Sequence, residues 1–125
     1  MKKDVLIIED ELNIAKAEAI ILKDDFNVHH AFDGEEGLKL AKQIKPHLII
    51  LDLMLPKRGG YDICFNLRQE KDLKDTKIVM VTAKNQDIDE DKGMLIGADD
   101  YLMKPFEPEE LMHVISQVMS QEKKK

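Results

Sequence analysis

The chain has a single cysteine, Cys64, among its 125 residues, so no disulfide can form within it. It also lacks an apolar stretch long enough to span a bilayer, and no segment reads as a signal peptide. Together these absences predict a reducing, cytoplasmic setting. Basic charge is not in surplus either: 19 Lys and Arg stand against 25 Asp and Glu, a net charge of -6 with a pI near 5.2. A nucleic-acid surface needs clustered cations to displace counterions from phosphates, so the composition argues against direct contact with nucleic acid. The terminal Lys123-Lys124-Lys125 is the one basic run, and residues 122–125 read as a solvated Lys-rich tail or the start of a linker. His29, His30, His47 and His113 lack the spacing of a zinc site. They and Cys64 are read as packing or surface residues. No repeat or low-complexity segment interrupts the chain.

What is present suits one compact domain, residues 1–121, with enough length for a core but not for a second one. Apolar runs of strand length alternate with stretches of helical period, the pattern of a parallel sheet covered on both faces. The runs are Val5-Leu6-Ile7-Ile8, Leu48-Ile49-Ile50-Leu51, Ile78-Val79-Met80-Val81 and the shorter Tyr101-Leu102-Met103. A fifth, Asn27-Val28-His29-His30-Ala31, is too polar to be central and is placed at an edge. Between them, a first helix is predicted from Glu11 to Lys23 with Ile14, Ala17, Ile21 and Leu22 toward the sheet. Asp33 and Glu36 have the spacing of a capping box for a second, which stops before Pro46. Ile63 and Leu67 mark a third after Gly59-Gly60. A fourth is expected near Asp87 to Ile96, closed by Gly97, and a fifth from Pro108 that buries Leu111, Ile115 and Val118.

Chemistry-bearing residues stand where these runs end. Glu9-Asp10 follows the first, Asp52 the second, Thr82 the third and Lys104 the last. Parallel strands joined by right-handed crossovers open all their C-terminal ends on one sheet edge, so these groups should meet there. A carboxylate such as Asp52 can attack phosphorus and become an acyl phosphate. Two like charges must then approach, which calls for a divalent cation; Glu9 and Asp10 supply the hard oxygen ligands that Mg²⁺ prefers. Lys104 and Thr82 can hold the remaining phosphoryl oxygens. Taken alone, each has a plainer reading: Asp52 as a cap, the acidic pair as surface, Thr82 as a strand former, Lys104 as solvated. Their joint placement at four strand ends favours the phosphoryl-transfer reading.

The strings Val5-Leu6-Ile7-Ile8-Glu9-Asp10-Glu11, Asp52-Leu53-Met54-Leu55-Pro56, Val81-Thr82-Ala83-Lys84 and Gly97-Ala98-Asp99-Asp100-Tyr101-Leu102-Met103-Lys104-Pro105-Phe106 occur in this order. In this the chain resembles the receiver domain of response regulators, the CheY-like module of two-component signalling. The resemblance implies a flavodoxin-like (βα)5 fold, a doubly wound parallel five-stranded sheet of order 2-1-3-4-5. It implies that Asp52 accepts a phosphoryl group from the phosphohistidine of a sensor histidine kinase or a histidine phosphotransfer protein. It further implies Mg²⁺, with Mn²⁺ as a substitute, held by Asp10, Asp52 and the Met54 backbone carbonyl, with Glu9 reaching the metal through water. Lys104 would bind the phosphate, and the Lys104-Pro105 bond would be cis. Thr82 and Tyr101 match the switch pair, which would remodel the face of the fourth helix, fifth strand and fifth helix read by an output domain or target protein. Met54 and Lys84 occupy positions that influence the lifetime of the acyl phosphate. On this reading the chain is a signalling switch that catalyses only its own phosphorylation and dephosphorylation, not an enzyme with turnover.

Some positions depart from the family's usual pattern. Lys57-Arg58-Gly59-Gly60 follows Pro56 where relatives often have a small and an acidic residue before the last glycine, and two cations there bear on kinase docking or phosphate lifetime, or are solvated loop charges. Val114 stands where receivers that dimerise to drive winged-helix domains usually carry a basic residue. Met112 and Met119 either add an apolar stripe to the last helix or finish the core. Three other classes compete. A phosphatase of the haloacid dehalogenase type would need a second Asp where Met54 stands, and a methionine donates no proton. A nucleotide or flavin module would need a phosphate-cradling loop where Glu9-Asp10-Glu11 would repel one. A pseudo-receiver, a phosphorylation-independent interaction domain, is disfavoured because the site residues are all present.

Overall fold

The computed structural model describes residues 2–55, 59–83 and 96–121. Five parallel strands form one sheet: β1 (Lys3–Ile8), β2 (Phe26–Ala31), β3 (Leu48–Asp52), β4 (Lys77–Ala83) and β5 (Asp100–Lys104). Their order is β2-β1-β3-β4-β5, the flavodoxin-like order. The helices among the described residues are α1 (Leu12–Leu22), α2 (Gly34–Ile44), α3 (Gly60–Gln69) and the C-terminal helix (Pro108–Ser120), with a short 3₁₀ turn at Lys71–Leu73. The fourth helix expected from the sequence lies, but for Ile96, outside the described residues. So do Pro56, Lys57, Arg58, Lys84 and the 122–125 tail.

Side chains alternate across a strand, and here the alternation divides the core in two. Leu6, Ile8, Ile49, Leu51, Ile78 and Met80 pack against α2 and α3 through Ala41, Ile63 and Leu67. Val5, Ile7, Leu48, Ile50, Val79 and Val81 pack on the other face against α1 and the C-terminal helix, through Leu22, Leu111, Ile115 and Val118. Burial on both faces is why the central strands read as unbroken apolar runs. The polar β2 is an edge strand, as its composition predicts, with His29 paired to Asp4 at 3.1 Å.

Local signals place the helix ends. The Asp33 carboxylate accepts from the Glu36 backbone N–H at 2.8 Å, and Glu36 reaches back to the Phe32 N–H at 2.6 Å, so the chain entering α2 is held from both sides. Glu107 and Glu110 make a full capping box at the C-terminal helix, with Pro108 in its first turn. Met112, Val114 and Met119 of that helix are half-buried against the core.

Helix α1 departs from expectation. Its buried stripe is Ala15, Glu18 and Leu22; Leu22 is buried as its spacing predicts, but Ala15 and Glu18 take the sheet-facing places expected of Ile14, Ala17 and Ile21, so the helix is turned by about one residue. Ala17 is exposed, and Ile14 and Ile21 are only half-buried. The rotation carries a carboxylate into the position an apolar residue would fill.

Candidate functional site at the C-terminal edge of the sheet

Strand β1 lies between β2 and β3, and the chain leaves it first toward one side and then toward the other. This reversal is the switch point at which ligands bind in open α/β sheets. The register pairs Ile8 with Leu51, which sets Glu9 beside Asp52 one residue further on. Both fall on the α1 face by alternation, as does Lys104, two residues beyond Leu102. Three residues that are distant in sequence therefore converge.

The Lys104 ammonium donates to Glu9 Oε1 at 3.0 Å and lies 3.8 Å from Asp52 Oδ1. Glu9 and Asp52 are buried, at 2% and 6% exposure, while Asp10 faces solvent. One carboxylate oxygen from each of Glu9, Asp10 and Asp52 lies within 4.8 Å of the other two. Such a group of hard oxygens, one of them open to water, can hold a divalent cation. The crowding shows in Glu9, whose carboxyl is pushed up to about 7 by burial first and the Asp52 charge next, against the opposing pull of Lys104. A cation at this cluster would relieve that repulsion.

The backbone around Asp52 is held on two sides. The Met54 N–H donates to Asp52 Oδ1 at 3.0 Å, fixing the carboxylate's direction, and the Leu53 N–H donates to Val81 O at 2.8 Å. Gly60, the first residue of α3, presses on this turn: a Cβ there would stand 2.6 Å from Leu53 Cα and 2.8 Å from Asp52 O. Only glycine lets the helix come this close. Across the site, His30 Nε2 lies 2.8 Å from the Glu9 carbonyl, and Glu9 Oε2 accepts from the Glu11 N–H at 3.2 Å.

Thr82 has the opposite parity. It is fully buried near the end of β4, and its hydroxyl makes no hydrogen bond among the described residues. Tyr101 pairs with Met80 across β4 and β5 and so shares the face of Thr82; its half-buried side chain packs against the α2–α3 core. Met54 is exposed beside Asp52, and the Lys104–Pro105 peptide bond is cis. Sequence reasoning did not find Glu18, which is buried on α1 within the electrostatic field of Glu9, Lys104 and Asp52. Its burial as the middle of an i, i+3, i+7 set with Ala15 and Leu22 was the available signal, masked by the more apolar Ile14, Ala17 and Ile21.

Residues 5–116 match the family model described as the response regulator receiver domain. The chain is 44% identical over 112 residues to the alkaline phosphatase synthesis transcriptional regulatory protein PhoP of Bacillus subtilis, an alignment covering 89% of this chain and 46% of PhoP. It is 40% identical over 122 residues to the response regulator ArlR of Staphylococcus aureus, covering 97% of this chain and 54% of ArlR. The chain thus spans about half the length of these relatives. Among solved structures, the chemotaxis protein CheY4 of Vibrio cholerae superposes with a TM-score of 0.88 at 28% identity, over 94% of this chain and 99% of that one. With its sheet order, its acidic strand ends and a family match over nearly the whole length, the chain belongs to the response regulator receiver domains of two-component signalling.

Proposed function

We propose that the chain is a phospho-accepting switch in which Asp52 takes a phosphoryl group from the phosphohistidine of a sensor kinase or histidine phosphotransfer protein. The observation that carries this is the Lys104 ammonium set between Glu9 and Asp52, 3.0 and 3.8 Å away, at the strand ends. It is a cation already placed where phosphoryl charge would arrive. In the transfer an Asp52 oxygen attacks phosphorus, the donor's P–N bond breaks, and the electron pair leaves with the imidazole. Glu9, Asp10, Asp52 and the Met54 carbonyl would hold Mg²⁺, or Mn²⁺ in its place, and their hard oxygen set fits such an ion. The metal supplies charge neutralisation between the entering phosphoryl group and the carboxylate. Lys104 binds a phosphoryl oxygen, exchanging part of its contact with Glu9 for one with the new dianion.

Thr82 supplies the switch. A buried hydroxyl without a partner among the described residues gains a strong acceptor when phosphate oxygens arrive nearby, and Tyr101, on the same face of the sheet, would turn into the space it leaves. The gain biases two packings of one element, which is how a local charge change becomes a change of surface. The face beside β5 and the C-terminal helix is then read by an output domain or a target protein. The chain works as a signalling switch in the cytoplasm, without turnover on small substrates. Met54, exposed beside Asp52, governs how water reaches the acyl phosphate.

Intact mass with and without a small phosphodonor and Mg²⁺, on the chain and on Asp52→Asn, tests this. The expected result is a gain of one phosphoryl group that requires Mg²⁺ and is absent from the variant. If neither mass gain nor beryllofluoride binding occurs with the protein folded, the chain is a phosphorylation-independent interaction domain and the proposal fails.

A further inference from the structure

Glu18 sits in the sheet-facing stripe of α1, 2% exposed, and both of its carboxylate oxygens are covered and without a hydrogen bond among the described residues. A buried polar group is normally paired, because the bonds it made to water have to be replaced. No cation can come to these oxygens from solvent; a side chain already inside can reach them by turning its end. The charges that act on Glu18 are those of Glu9, Lys104 and Asp52, and of these Lys104 is the cation. Lys104 and Glu18 also border one cavity of about 430 Å³ between α1 and the segment after β5, so the two residues are near neighbours.

Lys104 is engaged elsewhere in the structure. Its ammonium donates to Glu9 Oε1 at 3.0 Å and stands 3.8 Å from Asp52 Oδ1. Those two carboxylates, with Asp10, are the group that can take a divalent cation. A dication there would repel the ammonium and take up the negative charge that holds it. A displaced lysine needs a new acceptor within reach of its flexible stem. On the α1 side of the site, Glu18 is the buried carboxyl left unpaired.

We propose that Glu18 is a positioning residue that offers the Lys104 ammonium a second acceptor: a metal at the strand ends sends Lys104 to Glu18, and a phosphoryl group on Asp52 draws it back. With neither ligand, Lys104 stays on Glu9. Burial, with the Glu9 charge second, pushes the Glu18 carboxyl up to about 8, so at neutral pH it keeps its proton while unpaired. With metal alone, the ammonium turns to Glu18, whose proton passes to solvent, and the new pair stabilises the metal-bound chain. With metal and phosphoryl group together, Lys104 leaves Glu18 again. Glu18 therefore favours the metal and opposes the phosphoryl group by the same factor, since the first and last states do not use the pair. This second position for Lys104 presupposes the metal-held phosphoryl site proposed above.

Mg²⁺ titrated into the whole chain, into Glu18→Gln and into Glu18→Leu, followed by beryllofluoride at saturating Mg²⁺ as a phosphoryl mimic, tests this by amide shifts. In both variants Mg²⁺ affinity should fall about tenfold and beryllofluoride affinity should rise about tenfold, the scale of one charge-assisted hydrogen bond. Equal and opposite changes are what an acceptor used only in the intermediate state produces. In a Lys104→Met background, Glu18→Gln should leave Mg²⁺ affinity as it is. An effect that persists there would overturn the inference, because Glu18 would then act by its own field. Two affinities that move the same way would overturn it as well, since Glu18 would be shaping the whole edge and not directing Lys104. If the unaltered chain binds both ligands and neither variant differs from it, the second acceptor fails while the phosphoryl site stands. An unaltered chain that binds neither ligand overturns both.

Discussion

Glu18 and Thr82 are the residues that bury side-chain oxygens without a hydrogen bond among the described residues, and both lie next to the strand ends that carry the acidic cluster. Each costs stability, and the cost can be measured. Thr82→Val removes the orphaned hydroxyl at nearly constant volume, so urea unfolding should show the variant more stable by about 1 kcal/mol. The same variant should still take phosphate on Asp52 but fail to move Tyr101, which tyrosine NMR or fluorescence would report. For Glu18 the effect depends on pH. Its folded carboxyl titrates at about 8, against 4.5 for an unperturbed one. Between those values the fold keeps a proton that the unfolded chain has released, so stability is lost as pH rises through the window. Glu18→Leu should flatten that slope and, near pH 8 without Mg²⁺, raise stability by roughly 2 kcal/mol. An unchanged slope in the variant would assign the loss to Glu9 instead.

Residues differ in how far the sequence discloses them. Glu9, Asp10, Asp52, Thr82 and Lys104 were legible because each directly follows an apolar run, and a strand end is a position that sequence can locate. Which of them touch was not legible. The contact of Lys104 with Glu9 depends on the register of β1, β3, β4 and β5 together, and no local pattern encodes it. Glu18 was concealed for a related reason: a helix can satisfy its apolar spacing with either of two neighbouring stripes, and packing chooses between them.

At the scale of elements, one side chain ties several together. The Arg68 guanidinium at the end of α3 donates to the carbonyls of Leu73, Thr76 and Gly97 and to Asp99 Oδ2, at 2.6 to 3.2 Å. The same Asp99 oxygen accepts from the Ile78 N–H at 2.8 Å. The clamp joins α3, the approach to β4 and the approach to β5, and it crosses Gly97, whose φ of 128° is open to glycine and strained for other residues. Arg68→Met keeps the apolar stem but drops every one of these bonds, leaving Asp99 half-buried without its cation. A loss of about 2–3 kcal/mol is expected in urea unfolding. Strand ends were read from the sequence to within a residue or two, since apolar runs stop where burial stops. The clamp itself is invisible there, because one arginine in a helix says nothing about which carbonyls lie within its reach.

At the scale of the whole molecule, a metal held at the acidic strand ends would be coupled to stability. If the acidic strand ends bind Mg²⁺ in the folded state and not in the unfolded chain, the ion stabilises by mass action, by about 2.7 kcal/mol at a hundredfold excess over its dissociation constant. Thermal or urea unfolding with increasing Mg²⁺ should show this rise, and Asp10→Asn should remove most of it, since that carboxylate is exposed and its loss leaves the core intact. A variant that keeps the full Mg²⁺ response would place the ion elsewhere. On the same accounting, an ion bound there would offset the mutual repulsion of three carboxylates that lie within 4.8 Å of each other.

Glu9 and Lys104 stand 95 residues apart in a contact of 3.0 Å. A ribosome makes the carboxylate 95 residues before the ammonium. Once β3 has emerged, the nascent chain can pair β1 with β3 and bring Glu9, Asp10 and Asp52 together, but the cation that quiets them is still unmade. Until β5 is released, the growing edge of the sheet holds converging negative charge that favours leaving the two strands apart. A chain cut short before Lys104 therefore lacks the counter-charge at the very place where phosphate would be received, and that edge of the sheet is completed only when β5 joins it.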